Sequence, residues 1–282
     1  MDREVRISIE EMAKKMRKTA IDMAFNVGKK GAHLGAGLSS IEILACLYGG
    51  IMNINPKNPN WEGRDYFIPS KAHCVLSYYT ALAYSGFFEV DELNSFELNE
   101  SELSGHPVMN LNKGIEFSGG SLGMGLSQGV GIALSRKRKK GENNIFVLIG
   151  DGECNEGAIW EASMSATNFK LDNLIVIIDN NKLQYDGETD YVMNLYSLYD
   201  KFSAFGFNVC EANGHNIEDL YYKLQESIKL RNGKPTVIIA DTIKGKGITF
   251  IEGKKEWHHA VLSEEQYNLA VKELKEENQY EF

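Results

Sequence analysis

Between Asn144 and Gly187 the chain reads NIFVLIGDGECNEGAIWEASMSATNFKLDNLIVIIDNNKLQYDG. Two uninterrupted apolar runs are each stopped by a polar turn, with a helix-patterned segment between them. Residues 145–149 and 174–178 carry no polar alternation, as expected of parallel strands covered on both faces. Ile159, Ala162, Met164, Ala166 and Phe169 recur at helical spacing. A strand–helix–strand unit of this kind crosses over right-handed, so both strands release the chain at the same sheet edge. Gly150-Asp151-Gly152 and Asp179-Asn180-Asn181 therefore meet where open α/β sheets take their ligands.

The expected fold class is α/β, a parallel β-sheet flanked by helices on both faces. Asp151 offers a carboxylate oxygen and Asn181 an amide oxygen. Such hard donors, with few charges, suit Mg²⁺ that takes its other ligands from phosphates and water. The flanking glycines admit a diphosphate close to the backbone, and a helix opening after Gly152 supplies free N–H groups and a positive dipole end. Either turn alone is ordinary strand-end chemistry. Their combination, 30 residues apart across one unit, points to a metal-diphosphate cradle.

Net charge is −9, from 30 Lys and Arg against 39 Asp and Glu in 282 residues. That argues against general affinity for nucleic acid or anionic membrane. Four cysteines without a CxxC pair read as reduced thiols in a cytoplasmic protein. No stretch approaches the ~20 apolar residues of a membrane span.

Along the rest of the chain, Ser8 and Glu11 form a capping box ahead of a surface helix striped by Met12, Met16, Ala20, Met23 and Val27, ending at Gly28 or Gly31. Residues 31–37 are too glycine-rich for a helix. Ser39 or Ser40 caps a helix over 41–48, stopped by Gly49-Gly50. A strand over 64–68 releases Lys71 and His73. Gly105-His106-Pro107 is a tight turn. The glycine run 119–131 lacks the GxGxxG spacing, and Gly125 and Gly129 one turn apart demand close helix-on-helix or helix-on-ligand approach to offset their ~1 kcal/mol cost. The basic run 136–140 closes a helix that Gly141 stops. Residues 191–205 read as helix, 206–210 as strand, 217–230 as a helix capped by Asn216, and 235–241 as a strand releasing Lys244. A polar helix over 263–277 follows. No internal repeat appears, so strands and helices alternate through one domain.

GDG followed by NN resembles the thiamine diphosphate signature. The segment between them, with MNINPKNPNWEGRDYFIPSKAH, SGHP, GGSLGMGLSQGVGIAL and DTIKGKGITFIEGKKEWH, is similar to transketolases over their N-terminal, cofactor-diphosphate-binding (PP) domain. The resemblance implies a single such domain over 1–282, with a helix in 1–30 packed on it and a polar helix and tail in 263–282. It implies Asp151, Asn181 and the carbonyl of Leu183 around Mg²⁺ (or Ca²⁺ or Mn²⁺). It places Lys71, His73, Gly120, Leu122, Gly150, Gly152, Glu153 and Lys244 along thiamine diphosphate, with those three metal ligands. His33, His73, His106 and His258 match the histidines around the reacting sugar carbons, apt for proton work because a free imidazole titrates near 6.5. Glu156 matches a glutamate linking two cofactor sites across a dimer.

The resemblance further implies two-carbon ketol transfer from a ketose to an aldose, both as sugar phosphates. It implies a C-terminal, pyrimidine-binding partner subunit in a hetero-oligomer, as a heterotetramer, without which this chain is inactive. Ala32-His33-Leu34 stands where the family has GHP, and Ala72 where SKGH has glycine, so a reshaped pocket and a related sugar are expected. The rivals are half of a deoxyxylulose-phosphate synthase or 2-oxo acid decarboxylase, and a non-catalytic scaffold.

Overall fold

In the computed structural model, which describes residues 1–277, the two apolar runs lie side by side. They form β2 (Ile145–Gly150) and β3 (Leu174–Asn180), parallel and in register from Ile145 opposite Leu174 to Gly150 opposite Asp179. β1 (Tyr66–Pro69) flanks β2, and β5 (Thr236–Asp241) flanks β3 with β4 (Asn208–Asn213) beyond it, giving an all-parallel order β1-β2-β3-β5-β4. Alternate strand residues enter different cores. Phe146, Leu148, Ile175, Ile177 and Ile238 face one, while Val147, Ile149, Val176, Ile178 and Val237 face the other.

The first core is covered by α1 (Arg3–Asn26), α2 (Leu34–Leu38), α3 (Ile41–Cys46), α4 (Val75–Tyr84), α9 (Ile217–Lys229) and α10 (Glu264–Glu277). The second is covered by α5 (Met124–Arg138), α6 (Gly157–Asn168) and α8 (Leu198–Ala204). The sheet is thus buried on both faces, which is why its strands carry no polar alternation.

Several boundaries differ from the sequence expectation. α1 begins at Arg3, where the Asp2 side chain accepts from the Glu4 N–H, so Ser8 lies inside the helix and caps nothing. The longer helix adds Ile9 and Ala13 to the buried stripe, and α1 is the expected amphipathic surface helix, its stripe packed on the core and its charged face in solvent. Residues 34–38 do form a helix. Glycine permits it: a Cβ on Gly35 would lie 2.8 Å from the Trp257 carbonyl oxygen, and one on Gly37 2.9 Å from Leu76. Gly49-Gly50 do not stop the next helix, which runs on as a wide turn over Leu47–Ile51.

Gly125 and Gly129 bring α5 onto the sheet, not onto another helix or a ligand. A Cβ there would lie 2.5 Å from Ser70 Cα and 2.4 Å from a Val147 methyl. After α5 it is Lys140, not Gly141, that takes the left-handed turn. The expected helix over 191–205 is broken into α7 (Thr189–Met193) and α8, because Tyr196 adopts a left-handed φ of 51° and Ser197 then caps the second piece. Asn216 caps α9 as read, its side chain accepting from the Asp219 N–H. Among the described residues no helix is long and apolar enough to cross a membrane. The tail from 278 to 282 lies outside the described residues.

Candidate active site at the carboxyl edge of the sheet

All strands point the same way, so the loops after β1, β2, β3 and β5 converge. They line a cavity of about 260 Å³ with Lys71 and His73 from the first, Gly150–Glu153 from the second, Asn181, Leu183, Gln184 and Tyr185 from the third and Lys244 from the last. His33, His106, Gly120, Leu122 and His258 complete the lining. All the expected cofactor residues therefore meet in one place, although they span 174 positions of sequence from Lys71 to Lys244.

Three buried carboxylates form the floor. Asp179, the last but one residue of β3, is fully enclosed: it pairs with Lys71 and accepts from Ser39 and Thr242. Burial alone would raise its pKa, but the Lys71 ammonium holds it below the usual carboxylate value. Lys71 also donates to the Ala36 carbonyl at 2.9 Å and to Ser39 Oγ at 3.0 Å, so its three N–H bonds are used within the protein. Glu153 faces inward and clamps the floor together, accepting from Ser70 Oγ, the Gly123 N–H (2.8 Å) and the Gly150 N–H (3.0 Å).

Asp151 is different. It is buried and accepts from the N–H groups of Gly152 (2.8 Å) and Lys182 (2.7 Å) and from Thr189 Oγ1 (3.1 Å). It makes no salt bridge among the described residues, and burial together with the nearby Asp179 charge pushes its pKa up to about 6. A buried carboxylate served only by neutral donors calls for a cation. Asn181 Oδ1 and the Leu183 carbonyl line the same cavity, the latter accepting from Lys244 Nζ at 3.1 Å. Among the described residues, no group of three or more His, Cys, Asp or Glu could hold a metal. One carboxylate, one amide and one carbonyl instead suit a hard divalent ion completed by phosphate oxygens. The cradle also has room for that anion. Cβ atoms on Gly120 and Gly150 would meet nothing nearer than 3.8 and 3.9 Å, so protein packing does not require glycine there. The helix expected right after Gly152 begins at Gly157, with a single 3-10 turn, Gly152–Asn155, between.

The histidines form the wall. His33 sits 5.5 Å from His73, 5.2 Å from His106 and 5.6 Å from His258, ring centre to ring centre, and His73 stacks on His258 at 5.0 Å. An antiparallel bridge between Ala32 and Ala260 carries His33 and His258 together. Lys244 Nζ lies 3.0 Å from His258 Nδ1 and is the donor, so the neutral ring carries its proton on Nε2. The expectation that these rings titrate near neutrality is corrected here. Burial, then the charges of neighbouring histidines and Lys244, lowers His33 to about 4. Burial and Lys244 lower His258 to about 3, and burial also lowers His73 and His106. In the free protein all four rings are neutral at pH 7. Burial, followed by the Lys71 charge, likewise lowers Lys244 to about 8.

Glu156 stands apart from this cluster: it is exposed, does not line the cavity, and rests its Cβ beside Gly123. Sequence reasoning missed Asp179, Gln184, Tyr185 and His259. An acid ending an apolar strand was the available signal for Asp179, and the doubled histidine for His259, whose ring packs 4.6 Å from His33. Tyr185 stands 5.3 Å from His258, edge to face. The sixth histidine, His215, is elsewhere, in a buried network with Glu42 and Arg17.

A family model described as "Transketolase, thiamine diphosphate binding domain" matches residues 8–282. The chain belongs to the transketolase family. It is 42% identical to one subunit of the apulose-4-phosphate transketolase of Phocaeicola vulgatus, covering 95% of this chain and 94% of that one. It is 40% identical to the 6-deoxy-6-sulfo-D-fructose transketolase subunit SqwG of a Clostridium species, covering 97% and 98%. Among solved structures it superposes on transketolase from Leishmania mexicana with a TM-score of 0.88 at 30% identity, over 95% of this chain but 41% of that one. The fold is the transketolase thiamine diphosphate-binding domain, and the oxygen donors and open glycine cradle fit that cofactor with a divalent metal.

Proposed function

We propose that this chain is the thiamine diphosphate-binding subunit of a two-chain transketolase, moving a two-carbon ketol unit from a ketose to an aldose. The observation that carries the reading is the ring of neutral histidines standing directly over an oxygen cage with an uncompensated carboxylate. Relatives of matching length that are themselves named as transketolase subunits support the division into two chains, since this chain spans 41% of the solved transketolase.

Asp151, Asn181 and the Leu183 carbonyl would hold Mg²⁺, or Ca²⁺ or Mn²⁺. Gly120, Leu122, Gly150, Gly152 and Glu153 would flank the diphosphate, with Lys244 the lysine that keeps a donor for it. Lys71 acts through Asp179, and His73 packs under His258. Thiamine diphosphate, when bound, supplies an electron sink for cleavage beside a carbonyl. His106 would bond the donor's terminal hydroxyl, while His33 and His258 hold and move the proton at the carbonyl oxygens of donor and acceptor. Neutral rings serve this well, because each can accept a hydrogen bond on one nitrogen and donate on the other. Glu156, exposed at the start of α6, would reach a second cofactor site across an assembly interface.

The substrates are sugars carrying an anionic tail, phosphate or sulfonate, as in the relatives' names. The partner is the C-terminal, pyrimidine-binding half, in a heterotetramer, and the free thiols suit a cytoplasmic setting. The test is to assay the chain with and without its co-purified partner, offering hydroxypyruvate or pyruvate as donor. Turnover of hydroxypyruvate only in the complex is expected, and preference for pyruvate overturns the reading. In that complex, His258→Ala or His33→Ala with unchanged turnover removes either ring from the chemistry.

A further inference from the structure

Gln184 directly follows Leu183 of the cage, and its side-chain Nε2 has no hydrogen-bond partner among the described residues. Three buried side-chain polar atoms among the described residues lack a hydrogen-bond partner: Ser85 Oγ, Asn173 Oδ1 and Gln184 Nε2. Of these residues only Gln184 lines the active-site cavity. Its position is fixed. The backbone N–H of Gln184 donates to the Gly187 carbonyl at 2.9 Å, and Leu183 bridges Glu188 across the same turn. On its other side the side chain packs on Gly152, where an added Cβ would lie 2.9 Å from Gln184 Cβ and 3.1 Å from Oε1.

The oxygens around it are already engaged. Asp151 accepts from Gly152, Lys182 and Thr189, and Glu153 from Ser70, Gly123 and Gly150. Asn181 Oδ1 accepts from the Leu183 N–H and the Leu183 carbonyl from Lys244. A buried donor without an acceptor from the protein is matched by one from ordered water or a ligand, and a donor that lines a ligand cavity is placed to exchange the first for the second. Gln184 lines the cavity beside Gly152, in the same loop as the metal ligands Asn181 and Leu183, so a ligand held by the cage and the glycine cradle would offer it an anionic oxygen as acceptor.

Resting on the reading above, we propose that Gln184 is a cofactor-binding residue that donates its amide N–H to the metal-bound diphosphate. The donor set is then Gln184, Lys244 and backbone N–H groups, a larger one than the sequence motifs name. The test uses the full-length chain. Calorimetric titration with Mg²⁺ and either thiamine diphosphate or inorganic pyrophosphate is run on wild type, Gln184→Met and Gln184→Glu, alongside the unfolding midpoint of each apo protein. Gln184→Met should bind both ligands about tenfold more weakly, the loss of one hydrogen bond to a charged group. Gln184→Glu should bind more weakly still, since it sets a carboxylate against phosphate. Apo midpoints of Gln184→Met should match or exceed wild type, because the lost donor had no partner within the protein.

Equal affinity of Gln184→Met and wild type overturns the assignment, and so does a lowered apo midpoint, which marks a structural role. If, in the complex with the co-purified partner, wild type binds pyrophosphate through Gln184 but gains nothing from the thiamine portion, the assignment stands and the cofactor reading fails instead.

Discussion

Asp151 and Asp179 occupy nearly equivalent places: each is buried at the carboxyl end of a central strand, Asp151 one residue past Gly150, which pairs with Asp179 across β2 and β3. Their surroundings are opposite. Asp179 has a lysine, two hydroxyls and a lowered pKa, so its charge is complete within the protein. Asp151 has two backbone N–H groups, one hydroxyl and a pKa raised to about 6. One closes the fold, and the other leaves a charge for something outside it. Burial alone does not separate a structural acid from a functional one. What separates them is whether the protein supplies the countercharge.

The sharpest break of this comparison is Asp179→Ala, which leaves Lys71 buried and unpaired. A loss of about 3–5 kcal/mol in denaturant unfolding is expected. The double variant Lys71→Met with Asp179→Leu should recover most of it, because an apolar pair of similar volume replaces the ions. Failure to recover would show that the pair does more than close the core.

Asp151→Asn is expected to behave in the reverse way. The apo protein should keep its stability, while the stabilisation by Mg²⁺ with thiamine diphosphate, about 2.7 kcal/mol at a hundredfold excess over Kd, disappears in thermal melts. A variant still stabilised by the ligand would remove Asp151 from the metal site.

The last break is the pH dependence of the wall. His33 has a folded pKa of about 4 against an ordinary 6.5, so below pH 6.5 the unfolded chain binds more protons than the folded one. Stability present above 6.5 is lost as pH falls towards about 4. Unfolding followed between pH 7 and 4 should show a shallower decline in His33→Gln, and an unchanged slope would place the ring in a more solvated setting than the structure gives it.

Much of the fold was legible in the chain. The apolar runs without alternation determined a two-faced parallel sheet, and the right-handed crossover rule put Asp151 and Asn181 on one edge of it. Local signals failed where a distant neighbour decided the backbone. Residues 34–38 became helical where Gly35 and Gly37 pack against Trp257 and Leu76.

The site divides the same way. Motif spacing named the cage and four histidines, because strand ends and glycine turns are local events in sequence. Only the tertiary structure showed that Lys71 belongs to Asp179, that the histidines are neutral, and that Gln184 lacks an acceptor. Those properties depend on burial and on charges many residues away, and neither periodicity nor composition encodes the distance between them.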